Sequence, residues 1–174
     1  MARFCLLTLL MSASAFWING ALAQVPPALA APGQIAIVTY HAEGAQIYEC
    51  KADSDGKLSW IFREPIATLL LNGKTVGRHY AGPTWELTDG SAVTGRAVGN
   101  APGATANDIP WLKLDVTSHR GSGLLANITT IQRINTNGGA AQGACDQVGA
   151  FRSVAYSADY SVLRRKETRT TRPR

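Results

Sequence analysis

Residues 77–91, GRHYAGPTWELTDGS, place a histidine, a tyrosine, a tryptophan and two carboxylates within one short stretch. Imidazole and carboxylate can exchange protons, and a tyrosine and a tryptophan offer flat apolar faces with one polar atom each. Two uses of His79, Tyr80, Trp85 and Glu86 are open. They can form a hydrogen-bonded network that pins a hairpin, or they can line a pocket with Trp111 and Arg133. In either case a buried imidazole or carboxylate needs a partner, because an unsatisfied polar group costs about 1–3 kcal/mol or more. His79 and Glu86 are therefore expected within reach of another polar side chain, with Arg78 and Arg133 as the cations for Glu86.

Glu86 with Asp89, Asp108 or Asp159 is also a conceivable acid pair for glycan hydrolysis. That chemistry needs two carboxyl groups roughly 5–9 Å apart, with a sugar between them. Trp85 and Trp111 would suit a sugar face. Against this, Asp89 is explained by its turn, and Asp108 by capping the turn before Ile109-Pro110. Other chemistries lack their residues. There is no G-x-G-x-x-G, no P-loop and no G-x-S-x-G. His41, His79 and His119 are dispersed, without the close pairing of a zinc site. No cofactor and no metal are expected.

The elements that must hold these groups are short and β-like. IAIVTYH and AQIYECKA read as two strands, with Gln46, Tyr48 and Cys50 on one face of the second. KLSWIFRE alternates Leu58, Trp60 and Phe62. Asn72-Gly73 is a type I′ hairpin signal, with a helical PIATLLL as its one rival. Asp89-Gly90 reads as a second two-residue turn, pairing Thr88 with Ser91, Glu86 with Val93 and Trp85 with Thr94. WLKLDVTSH and LLANITTIQRINT follow as strands around RGSG, and SVAYSADYSVL alternates strictly. The expectation is an all-β chain, a single antiparallel β-sandwich or flattened β-barrel of about eight or nine short strands.

Residues 1–23 read as a secretory signal: Arg3, an apolar stretch, and an Ala21-Leu22-Ala23 cleavage site before Gln24. Residues 24–34 read as a Pro/Ala-rich linker or edge segment, 35–163 as the β domain, and 164–174 as a flexible basic tail. The tail carries six basic residues and one acidic, whereas residues 24–163 have ten basic and eleven acidic. The body is thus nearly neutral, which speaks against specific nucleic-acid binding; the tail alone could touch anionic surfaces, weakly and salt-dependently. Removing the signal leaves Cys50 and Cys145, an even pair outside any CxxC motif. In a secreted or periplasmic setting they should join, and closing a loop of about 100 residues is worth roughly 4–5 kcal/mol in the chain-entropy model.

In order along the chain, QIYEC, W-x-F, GRHYAGPTWELTDGS, IPWLKL, IQRINTNGG and YSADYSVL resemble the secreted bacterial and fungal family termed domain of unknown function 3455, over about residues 45–163. The resemblance implies no activity and no catalytic residues. Some fungal relatives carry a malate dehydrogenase label, which implies a nucleotide-binding fold that this chain lacks; an NAD-dependent dehydrogenase is not expected. Three readings stay open: a non-catalytic domain binding a glycan, lipid or small ligand, a glycan hydrolase, and a structural envelope or matrix protein. A pocket lined by aromatics without paired acids favours the first. A pocket flanked by two carboxylates favours the second, and no pocket favours the third.

Overall fold

The computed structural model describes residues 25–167. The signal at 1–23 and the tail beyond residue 167 lie outside the described residues. Eight antiparallel strands form one sheet that closes in a ring: β1 (Gln34–Ala52), β2 (Leu58–Leu71), β3 (Lys74–Tyr80), β4 (Thr84–Leu87), β5 (Ala92–Ala101), β6 (Trp111–Arg120), β7 (Thr130–Gly138) and β8 (Phe151–Arg165). Each strand pairs with its neighbours in sequence, and β8 returns to β1. The ring is uneven. The β1–β8 seam runs from Gln34 opposite Arg165 to Glu49 opposite Phe151, whereas β4 and β5 pair only from Thr84–Thr94 to Glu86–Ala92. Helix is limited to two single 3-10 turns among the described residues, Pro27–Leu29 and Leu124–Asn127.

Several strands are longer than the sequence suggests. IAIVTYH and AQIYECKA are one strand, because Gly44 is not a breaker. A side chain there would collide with the Ile66 carbonyl of β2, so glycine permits the close strand approach. PIATLLL continues β2 and is not helical. At Asn72-Gly73 both residues have positive φ, 51° and 74°, and Leu71 pairs with Lys74, as a type I′ turn requires.

The Asp89-Gly90 hairpin differs from expectation by one residue. Trp85 pairs with Val93 and Glu86 with Ala92, and Leu87 N donates to Ser91 O at 2.9 Å. The loop therefore has three residues, with Gly90 at φ 84° taking the left-handed position. Its purpose lies further away. Asp89 Oδ1 accepts from Ser91 N and Oγ at 2.8 and 2.6 Å, and Oδ2 accepts from Leu124 N at 2.9 Å. These bonds hold the Asp89 carboxyl below its ordinary range and tie the β4–β5 loop to the 3-10 turn after β6. That turn, expected to be strand, instead carries buried Leu125 toward the core, with Ile128 just beyond it.

The core is the inside of the ring. Ala42, Leu69, Leu87, Val93, Ile131, Ala158 and Val162 are all buried there. The alternation of β8 is as the sequence indicates, with Tyr156, Ala158, Tyr160 and Val162 buried. Arg164 and Arg165, assigned to the tail by composition, belong to β8 and pair with Ile35 and Gln34. Residues 25–33 lie against the outside of β5 and β6. Leu29 is fully buried, its carbonyl accepts from Gln132 Nε2 at 2.6 Å, and Gly99 makes room for the Ala28 carbonyl. The Cys50–Cys145 disulfide is formed, with Cα atoms 5.9 Å apart, and ties the β7–β8 loop to the end of β1.

Candidate functional site

At the end where the β3–β4 turn and the β5–β6 loop meet, the interior opens into a cavity of about 570 Å³. Exposed Phe62, Arg63 and Pro110 and half-buried Pro83 belong to its lining. Arg63 is the extra residue of a bulge: Ile47 pairs with Glu64 and Tyr48 with Phe62, leaving Arg63 between them. A bulge re-aims the side chain it carries, here to the cavity rim. Deeper in, Gln46, His79, Trp85, Leu114 and Tyr160 are buried.

Strand alternation decides which residues of the opening stretch arrive. His79 on β3 and Trp85 on β4 are opposite one another and both face inward. Their rings stack at 4.3 Å, and Tyr160 of β8 approaches His79 at 4.9 Å and Trp85 at 5.4 Å between centroids. Arg133 of β7 also lines the cavity, with Nε and Nη2 donating to Pro110 O at 3.0 and 2.8 Å.

Tyr80 and Glu86 are one residue further along their strands and therefore face outward. Glu86 Oε2 accepts from Tyr80 Oη at 2.7 Å and meets Arg78 Nη2 at 3.0 Å and Arg120 Nη2 at 3.1 Å. Tyr80 above all, then Arg78, holds the Glu86 carboxyl low, and Glu86 in turn raises the Tyr80 hydroxyl. The second cation of Glu86 is Arg120, not Arg133, which is inside the ring. Trp111 is half-buried and does not line the cavity, since Leu112 and Leu114 of the same strand face inward. Of the six sequence candidates, His79, Trp85 and Arg133 meet in the cavity; Tyr80, Glu86 and Trp111 do not.

His79 is partnered by backbone, not by a side chain. Its Nδ1 lies 2.9 Å from Thr84 O. A carbonyl only accepts, so Nδ1 carries the proton and Nε2 is left as an acceptor. Burial pushes the imidazole pKa down to about 3; the Thr84 bond opposes this and the Arg133 charge adds to it. The ring is neutral at ordinary pH and a poor base. Burial raises the Tyr160 hydroxyl, against the influence of Arg133.

Two residues of the lining carry buried donors that lack a hydrogen-bond partner. Trp85 Nε1 and Gln46 Nε2 are buried without a hydrogen-bond partner, in residues that are each 2 % exposed. Such atoms are rare in folded proteins and call for a reason. No carboxylate lines the cavity. The acids considered for hydrolysis are engaged elsewhere: Glu86 with Tyr80, Arg78 and Arg120, Asp89 with Ser91 and Leu124, Asp108 with Thr105 and Gly138 N, and Asp159 with His41 and Asn135. Among the described residues no group of three or more His, Cys, Asp or Glu side chains is arranged to hold a metal.

The sequence reasoning missed Gln46, Tyr48 and Tyr160 as cavity residues. The signal was present: Gln46 and Tyr48 share a face with buried Cys50, and an uncharged amide on a buried face needs a partner or a ligand.

No curated protein and no solved structure matches the chain significantly. A family model described as protein of unknown function (DUF3455) matches residues 31–73 and 70–164, which span every strand of the ring. The chain belongs to the DUF3455 family.

Proposed function

We propose that this domain is an exported, non-catalytic binding protein that takes a small, largely apolar molecule into the interior of its ring. The observation that carries this reading is the cavity itself: about 570 Å³, walled by Tyr48, Phe62, Trp85, Leu114 and Tyr160, and open at one end. Ligand sites usually occupy about 300–1,000 Å³ and combine apolar walls with a few placed polar groups. The half-buried guanidinium of Arg133 would supply the polar contact. The absence of acids from the lining gives the hydrolase reading no pair to work with there, and a purely structural role leaves the unpartnered donors unexplained. Export rests on the leader at residues 1–23 and on a disulfide that suits an oxidising compartment.

The test uses the mature, oxidised protein and N-phenyl-1-naphthylamine, a neutral probe that brightens in apolar surroundings. Saturable uptake is expected, together with a rise in Tm. Ligand at 100 times its dissociation constant stabilises by about 2.7 kcal/mol. Ala97→Trp, which fills the cavity from β5, should abolish uptake in a folded protein. Uptake that survives Ala97→Trp, or no uptake at all, overturns the proposal.

A further inference from the structure

The lining of the cavity is one-sided in charge. Arg133 and Arg63 are its only charged residues; Arg63 is paired with Glu64 at 3.5 Å, whereas no Asp or Glu balances Arg133. Among the described residues, no carboxylate lies within salt-bridge distance of the Arg133 guanidinium, and two of its bonds run to a single neutral oxygen, Pro110 O. That geometry uses Nε and one hydrogen of Nη2, and the guanidinium also reaches the Tyr160 hydroxyl. The two donors nearest in kind, Trp85 Nε1 and Gln46 Nε2, are buried and unpartnered. The acceptors at hand are the neutral imidazole nitrogen of His79, the phenolic oxygens and Gln46 Oε1. A half-buried guanidinium without a counter-charge in an apolar cavity is a place where an oxygen anion gains a partner.

We infer that the natural ligand is an apolar monocarboxylate, with its carboxylate on Arg133 and its body along the aromatic wall of Trp85, Tyr48 and Phe62. This rests on the interior-binding reading above and adds the charge and polarity of the ligand. One carboxylate answers the observed donors. A second would have to lie against Leu112, Leu114 and Ile109, which also line the cavity and offer it no partner. Arg63, exposed on its bulge, is already paired with Glu64 and serves as the control cation.

Three probes with one apolar body and different heads decide the matter: decanoate, decan-1-ol and decylamine. Each is titrated at pH 7 against the oxidised protein loaded with N-phenyl-1-naphthylamine. Decanoate is expected to displace the probe at least tenfold more tightly than the alcohol, and decylamine most weakly. Arg133→Gln should bring acid and alcohol to parity while leaving alcohol binding in place. Arg133→Lys should keep part of the preference, and Arg63→Gln should keep most of it. Parity of acid and alcohol in the unaltered protein overturns the inference and leaves interior binding standing. A preference that survives Arg133→Gln, or one lost only with Arg63→Gln, overturns the anchor. If neither the naphthylamine nor any decyl compound binds, the interior reading falls and this one with it. Should Arg133→Gln not fold, the acid-to-alcohol ratio of the unaltered protein still decides.

Discussion

The imidazole of His79 lies flat on the indole of Trp85, 4.3 Å between centroids and 12° from parallel, while its Nδ1 holds the carbonyl of Thr84, the first residue after the turn that joins their strands. The pair closes the β3–β4 hairpin from inside and forms a wall of the cavity, so one contact serves both shape and site.

Because the folded imidazole has its pKa at about 3 and a free one titrates near 6.5, the unfolded chain binds the extra proton first as pH falls. The contribution of neutral His79 is complete above about pH 6.5 and is lost progressively toward pH 3. Urea unfolding at pH 7, 6 and 5 should show a decline from this group of at most about 1.4 kcal/mol per pH unit. His79→Phe, which keeps a ring on Trp85 but cannot titrate, should show a shallower decline over the same interval. Equal slopes for the two proteins would refute the assignment.

Leu29 distinguishes a packed segment from a linker. Its side chain is fully buried on the outside of the ring. Leu29→Ala should lower stability by about 2–5 kcal/mol, as large-to-small changes at buried leucines do. Val148→Ser, at a residue 62 % exposed, should change it by no more than about 0.5 kcal/mol. Denaturant midpoints of the two variants give the comparison, and a silent Leu29→Ala would return residues 25–33 to the status of a tether.

The disulfide closes a sequence separation of 95 residues. Replacing Cys50 and Cys145 together with alanine should lower stability by roughly 2–5 kcal/mol. It should also speed hydrogen exchange in the 139–150 loop, because that is where Cys145 holds the chain to β1. Mass-resolved exchange with and without the bond checks the second point, and unchanged loop protection would contradict it.

Glu86 faces away from the cavity, so Glu86→Gln should leave uptake of the naphthylamine probe unchanged. The variant should be less stable at low salt, and the deficit should shrink as salt screens Arg78 and Arg120 from the carboxylate. Since the folded Glu86 pKa is lowered, its contribution is present above the unfolded carboxyl value near 4.3 and disappears as pH falls through the folded one. Loss of probe uptake in this variant would place Glu86 at the site after all.

Where local chemistry is unambiguous, the sequence is a good guide. Asn72-Gly73 can make little else than its turn, the alternating tyrosines of β8 can face only one side together, and the β domain holds just Cys50 and Cys145 to pair. His79, Trp85 and Arg133 line the cavity, as the sequence candidates suggested, but Tyr80 and Glu86 could not be separated from them without strand phase. Period two does separate them: Trp85 and Leu87 inward puts Glu86 outward. The Asp89-Gly90 register was not legible because one dipeptide serves two-residue and three-residue loops alike, and the Asp89 carboxylate is engaged by Leu124 N, 35 residues away. Gly44 misled for a similar reason, since its neighbour across the sheet, Ile66, is what requires a glycine there.

The seam between β1 and β8 has a consequence for how the chain reaches this state. It is the longest pairing in the ring, yet it joins the first strand to the last, with Gln34 opposite Arg165. Every other pairing can form between consecutive segments as they appear, but this one waits for nearly the whole chain. Until β8 arrives, one edge of a 19-residue strand is open, and the cavity has no wall where Tyr160 belongs. Open edges are templates for pairing with other chains, and distant pairings are slow to form. Assembly therefore ends with a single late step, and the interval before it is when this protein is most exposed to self-association.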